Sequence, residues 1–270
     1  MFVIETDLDT DNSNAIKFSP TQEELDIIAL DPSMWIESSK GAAVSGSNVL
    51  QINDRTGRTQ WLPKLSNLPK MIKSANGQPV LNFGLNRGPS NPGALIAANG
   101  YEPLPQNGVF TLVKLTRVPQ RNTGGYGGTG GDDFGNNGVA PELLRLRFRS
   151  DGYEGNILWY NHGSVSPAND TNYQIIASFT DDYAWHVDFI EVTTVHHRWE
   201  RDGVLLQQKE IPAIPFNTPG SRQVVIGSAG ADGRNGFFGD FAAAILVPRT
   251  VTAEEKALLM GRMNAIKSTL

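Results

Sequence analysis

Val195-His196-His197-Arg198-Trp199-Glu200-Arg201-Asp202-Gly203-Val204-Leu205-Leu206 is the stretch that decides the fold. Asp-Gly is the pair best suited to the two left-handed central positions of a tight hairpin turn. Here it stands between a tryptophan-bearing segment and a run of aliphatic residues, so it predicts two antiparallel strands. The segments around it read the same way. Ala184 to Val192 lies just upstream, while Gln223 to Gly227 and Phe238 to Val247 follow. Earlier in the chain, Val109 to Arg117 and Tyr173 to Phe179 are β-branched and apolar. Between them Leu144, Leu146 and Phe148 alternate with Arg145, Arg147 and Arg149. That alternation is the period of a half-buried strand. No helix separates these segments, which disfavours a parallel α/β sheet and favours a sandwich.

Helix signals sit only at the two ends. Ser19-Pro20-Thr21-Gln22-Glu23-Glu24-Leu25 places a polar residue, a proline and two glutamates before Leu25, Ile28 and Ala29, predicting a short helix from about Ser19 that reaches Leu30. Thr252-Ala253-Glu254-Glu255 is a capping box ahead of Leu258, Leu259, Met263 and Ile266, predicting a C-terminal helix that closes the sandwich edge. Residues 1–30 read as an N-terminal arm with its helix, and residues 31–270 as one β domain. The arm either docks to a partner subunit or lies as a lid over the domain edge; both readings stay open.

Composition narrows the classes. The chain has 270 residues, a formal charge of −5 and 19% charged residues. Its 28 glycines and 16 prolines, roughly 16% together, are too many for a helical protein and too few for low complexity. No basic run offers a phosphate-binding face, so nucleic acid is excluded as an expected partner. There is no cysteine, hence no disulfide and no thiolate metal site. No stretch of about 18 apolar residues predicts membrane insertion, and the first residues lack the features of a signal peptide. The expectation is a protein made in the cytoplasm and displayed on a virion or another extracellular surface.

Four ordered stretches resemble the concanavalin A-like lectin/glucanase superfamily, in its laminin G-like branch found in adhesins and phage structural proteins. They are Met34-Trp35-Ile36 with Ile52-Asn53-Asp54-Arg55-Thr56-Gly57; Gln78-Pro79-Val80-Leu81-Asn82-Phe83; Trp199-Glu200-Arg201-Asp202-Gly203-Val204; and Ile226-Gly227 with Phe238-Gly239-Asp240-Phe241-Ala242 and Thr252-Ala253-Glu254-Glu255-Lys256. The resemblance implies an all-β, two-sheet antiparallel jelly-roll sandwich of about a dozen strands. Function would then lie in loops or on a concave face. Asn53 stands where such modules commonly carry tryptophan, and Ala244 where an acidic residue is usual.

His186-Val187-Asp188-Phe189-Ile190-Glu191 resembles the Glu-x-Asp-x-x-Glu of laminarinase-type glucanases, but a histidine takes the nucleophile position. Retaining hydrolysis requires two carboxyl groups about 5–5.5 Å apart, one of which forms the glycosyl ester. Imidazole cannot form it. The expected arrangement is a strand with Trp185, Val187 and Phe189 in the core and His186 and Asp188 outside. His196 and His197, as strand neighbours, point to opposite faces and cannot share a metal. Asp7, Asp9 and Asp11 open like a calcium loop, but the twelfth position is Phe18 where a bidentate glutamate is needed. Gly125-Tyr126-Gly127-Gly128-Thr129-Gly130 satisfies a phosphate-loop pattern without the helix that pattern requires. The surrounding stretch, 124–138, reads as a glycine-rich loop.

No catalytic residue, metal or cofactor is therefore expected. Sugar binding needs an aromatic platform and planar polar groups. The candidates are Trp159, Tyr160 and His162, Tyr126 with Asp132 and Asp133, and Asp232, Arg234 and Asn235. The expected function is a non-enzymatic structural or adhesion module of a capsid decoration or tail-fibre kind. Its expected partners are a host-surface polysaccharide, a virion protein through the arm, and further copies of itself in a homo-oligomer. The alternative is a glycan-degrading hydrolase or lyase of the glucanase type, active or decayed, using Asp188 and Glu191 with an unrecognised partner.

Overall fold

The computed structural model describes residues 20–64, 68–83, 93–117, 131–136, 144–149, 155–160, 174–177, 184–211, 222–228, 237 and 239–270. Seventeen strands and two α-helices lie among them. In chain order these are α1 (Gln22–Ala29), β1 (Met34–Glu37), β2 (Ala42–Ser45), β3 (Asn48–Asn53), β4 (Gln60–Pro63), β5 (Lys70–Lys73), β6 (Pro79–Asn82), β7 (Leu95–Ala97) and β8 (Phe110–Arg117). Then come β9 (Gly131–Asn136), β10 (Leu144–Arg149), β11 (Gly155–Tyr160), β12 (Gln174–Ala177), β13 (Trp185–Val192), β14 (His196–Arg201), β15 (Val204–Glu210), β16 (Val224–Ile226), β17 (Asp240–Val247) and α2 (Ala253–Lys267).

Every pairing is antiparallel, and the pairings resolve into two layers. One sheet runs β15-β14-β13-β8-β17-β1, with β6 continuing beside β17 beyond the end of β1. The other runs β12-β11-β10-β9-β16-β7-β4-β3-β2. The β5–β6 hairpin links them, pairing through Asn48 with β3 and through Asn82 and Leu81 with β17. The expected two-sheet antiparallel sandwich is what forms.

Two apolar layers hold it. Between the sheets lie Met34, Ile36, Trp61, Phe110, Leu112, Ile190, Trp199, Phe241 and Leu246. On the opposite face of the first sheet, Trp35, Val113, Leu115, Val187, Phe189, Ile245 and Val247 pack against Ile27 of α1 and Leu259 and Met263 of α2. The first sheet is thus covered on both sides. This explains why β17, Asp240-Phe241-Ala242-Ala243-Ala244-Ile245-Leu246-Val247, is buried at all eight positions instead of alternating. Burying each large aliphatic or aromatic side chain is worth about 1.5–3 kcal/mol. A strand buried on both faces gathers that gain from large side chains on either side, here Phe241 and Leu246 on one face and Ile245 and Val247 on the other.

Three local expectations change. Helix α2 lies over a face of the first sheet, not along its edge, because Leu259 and Met263 need the apolar surface that β8, β13 and β17 present. Helix α1 starts two residues later than Ser19-Pro20 suggested, at Gln22. Thr21 is its cap, accepting from the Glu24 N–H while the Glu24 carboxylate accepts from the Thr21 N–H. Part of the glycine-rich stretch, 131–136, is a strand, since β9 has hydrogen-bonding neighbours on both sides and these override the weak strand preference of glycine. The arm, with Asp7, Asp9, Asp11 and Phe18, lies outside the described residues.

A buried ion network fixes the helices to the sheet. Glu37 is 1% exposed and accepts from the Trp35 indole at 3.0 Å, from Arg55 at 3.0 Å, and from Nε and Nη2 of Arg262, each at 2.9 Å. Glu24 of α1 accepts from Lys40 at 2.8 Å and lies 2.9 Å from Arg55. Burial would raise the Glu24 carboxyl, but the Lys40 and Arg55 hydrogen bonds outweigh it and lower its pKa from 4.5 to about 2. Asp54, in the tryptophan and Asp-x-Thr-Gly signature, is a second hub. It takes the Trp35 N–H, the Thr56 N–H and hydroxyl, and the Trp61 indole at 3.0 Å. Burial pushes its carboxyl up in spite of these bonds.

Candidate functional site

The fold itself tests which candidate residues can meet. Phe83 donates to Gly239, Phe237 donates to Gly227, and Gly227 sits against the Phe83 ring. These contacts bring the ends of β6, β16 and β17 together at one end of the sandwich. Arg117 and Trp185 lie there too, paired with Asp240 and with each other. Following register from β16 through β9 and β10 to β11 puts Gly155 at this end and Tyr160 at the other. Six residues of strand span about 17 Å at ~3.3 Å per residue. Trp159 and Tyr160 are therefore held at the far end. The chain that bears Tyr126 leaves the sheet at Arg117, and the chain that bears Asp232, Arg234 and Asn235 rejoins it at Asp240. Tyr126, His162, Asp232, Arg234 and Asn235 themselves lie outside the described residues, and for Trp159, Tyr160, Asp132 and Asp133 the backbone alone is described.

At the near end a polar row crosses four adjacent strands in strict register. Asn82 of β6 faces Asp240 of β17, Asp240 faces Arg117 of β8, and Arg117 faces Trp185 of β13. All four sit on the face that also carries the helices. The Asn82 amide donates to Asp240 Oδ1 at 2.7 Å, and Arg117 Nε donates to Asp240 Oδ2 at 2.9 Å with Nη2 on the same oxygen. The guanidinium lies over the Trp185 indole, 5.1 Å from its centroid. Asp240 is nearly buried, whereas the Arg117 side chain keeps 31% of its surface exposed. The backbone beneath is tight. A Cβ on Gly239 would come within 2.6 Å of the Arg117 carbonyl and 2.3 Å of the Phe237 ring, so only glycine fits there.

Beside the row, His186 Nδ1 lies 2.6 Å from Asp202 Oδ2 in the β14–β15 turn. Asp202 also accepts from Val187 N–H at 3.1 Å and from Lys267 of α2 at 2.8 Å. Its φ of 48° is the left-handed value that the Asp-Gly turn demands. Burial would raise the Asp202 carboxyl, and the Lys267 and His186 hydrogen bonds lower it.

The glucanase-like pair does not converge. Asp188 is fully buried on the face between the sheets, against the expectation that it faces out. Its register partners Lys114 and Arg201 are both cationic, Arg201 donating at 2.8 and 3.1 Å and Lys114 lying 3.3 Å away, and the Trp199 indole donates at 3.0 Å. Burial would raise its carboxyl; Arg201 and Lys114 hold it well below the usual carboxylate range. Glu191 points to the other face, 3.0 Å from His196. His196 and His197 also divide between the faces, as neighbouring strand residues must.

Sequence reasoning passed over Asn82, Arg117, Trp185 and Asp240 as site residues. Asn82 and Asp240 belong to quoted motifs, and each ends or starts its strand, which was the available signal. That they share one row with Arg117 depends on register between strands distant in the chain.

No protein-family model matches the chain, and no curated protein matches it. Solved structures do share the fold. One is botulinum neurotoxin type C, whose entering of cells depends upon interaction with two ganglioside molecules (TM-score 0.57, 9% identity, 87% of this chain and 52% of that one). Another is the binding domain of Paraclostridial Mosquitocidal Protein 1 (TM-score 0.55, 13% identity, 87% and 52%). A third is the Trypanosoma rangeli sialidase in complex with the inhibitor DANA (TM-score 0.55, 14% identity, 86% and 33%). The chain thus spans about half the length of the two toxin chains. At these identities the likeness is one of fold.

Proposed function

We propose that this chain is a non-catalytic glycan-recognition module, displayed on a virion or another extracellular surface. The observation that carries the reading is the in-register row of amide, carboxylate, guanidinium and indole at one end of a sheet buried on both faces. Those are the group types that recognise sugars, and a doubly covered sheet holds them rigidly. The divergence of Asp188 and Glu191 supports the non-catalytic reading, since a glucanase-type hydrolase would need both carboxylates in one cleft. Two of the structural neighbours supply context: the botulinum toxin interacts with gangliosides, and a related toxin binding domain is in complex with SialylT. On this reading the N-terminal arm, residues 1–30, is the segment that attaches to a virion partner.

A glycan array probed with the full chain tests the reading. Binding to a defined set of saccharides supports it, and its loss in Trp159→Ala would move the site to the far end of the sandwich. No binding to any glycan, together with tight association with virus particles, overturns it in favour of a purely structural role. Release of reducing ends from β-glucans or capsular polysaccharides, abolished in Glu191→Gln, overturns the non-catalytic part.

A further inference from the structure

Resting on that reading, we infer that the row of Asn82, Asp240, Arg117 and Trp185 binds the carboxylate of an acidic sugar, with Arg117 as the anion-binding group. A guanidinium has five N–H donors and two edges able to grip a carboxylate. Asp240 takes the side edge, through Nε and Nη2. Among the described residues the end-on edge, built from Nη1 and the second Nη2 hydrogen, makes no hydrogen bond, and the side chain remains 31% exposed. Asp240 and the indole fix the plane of the group before any ligand arrives, so little rotamer freedom is left to lose on binding.

The remaining chemistry of the row favours an acceptor over a donor. Asp240 already receives Asn82 on one oxygen and two Arg117 bonds on the other, three of the roughly four acceptor positions a carboxylate has. A neutral sugar hydroxyl would find almost no acceptor there. Arg117 also covers one face of Trp185, so that face of the indole is not an open stacking platform. A ligand carboxylate meets the end-on fork, open among the described residues, with two parallel charge-assisted bonds, each roughly twice as strong as a neutral one.

The test is calorimetric titration of the intact protein with two matched pairs: trigalacturonate against its methyl ester, and sialyllactose against lactose. At least one acid should bind ten or more times more tightly than its neutral partner, with affinity falling as salt rises. Arg117→Gln should lose that preference, and Arg117→Lys should lose most of it, because an ammonium lacks the fork. The acid-to-neutral contrast in the unaltered protein decides the matter even if a variant folds poorly. Equal binding of acid and neutral partners, or binding of neutral glycans alone, overturns this inference while leaving glycan recognition in place. Failure of every saccharide here and on the array removes both.

Discussion

Asp188 and Glu191 lie three residues apart on one strand and project to opposite faces of the sheet, Asp188 onto Arg201 at 2.8 Å and Glu191 onto His196 at 3.0 Å. Odd spacing on a regular strand forces that outcome. One carboxylate became the counter-ion of two buried cations and the other part of a pair that keeps some exposure to solvent, and their stability roles differ accordingly.

Removing the Asp188 charge leaves Lys114 and Arg201 buried without it, so Asp188→Asn should cost about 3–5 kcal/mol. Glu191→Gln, at a partly exposed pair, should cost less than about 1 kcal/mol. Urea unfolding midpoints of the two variants compare them. Equal losses would contradict the burial difference.

Glu24 should mark the acid limb of the stability curve. Its folded pKa is depressed to about 2, against roughly 4.3 for an unfolded glutamate. The carboxylate therefore contributes stability above the unfolded value, and that contribution drains away as pH falls from about 4.3 toward 2. Glu24→Gln should be less stable than the parent at pH 7 and nearly equal to it at pH 2, as read by thermal melts at both pH values.

Asp54→Ala should cost at least about 2 kcal/mol, since it strands the buried indole of Trp61 and the Trp35 and Thr56 amides together. The near-ultraviolet circular dichroism of the tryptophans should change with it. A silent substitution would mean that the Trp and Asp-x-Thr-Gly signature has no structural task here.

Two glycines with similar backbones should respond very differently. Gly227 has φ 90° and a Cβ there would sit 2.3 Å from the Phe83 ring and 2.9 Å from the Gly93 carbonyl, whereas Gly77 has φ 84° and open space around it. Gly77→Ala should cost about 1–2 kcal/mol of backbone strain alone. Gly227→Ala adds overpacking of a further ~1–3 kcal/mol and should loosen the strand end that carries the polar row. Denaturation midpoints of both variants check the ordering.

Much of this architecture could be read from particular residues. Asp202-Gly203 predicted the β14–β15 hairpin, Thr252 and Glu255 the start of α2, and the alternation of Val187, Phe189 and their neighbours a strand with two distinct faces. Where the reading failed, a neighbour was missing from view. Asp188 looked exposed because alternation assigns faces without saying what covers each one; here a second sheet covers one face and two helices the other. The 131–136 segment looked like a loop because its glycines hide two flanking strands.

Local chemistry along the chain determined the elements: β-branched alternation made strands, a two-residue turn joined a pair of them, and capping boxes began both helices. The polar row was decided only in three dimensions. Asn82 and Asp240 are 158 residues apart, and Arg117 and Asp240 123 apart. Register between such distant strands is set by the collective fit of two apolar layers, since a one-residue slip would turn every buried side chain of a strand to the wrong face.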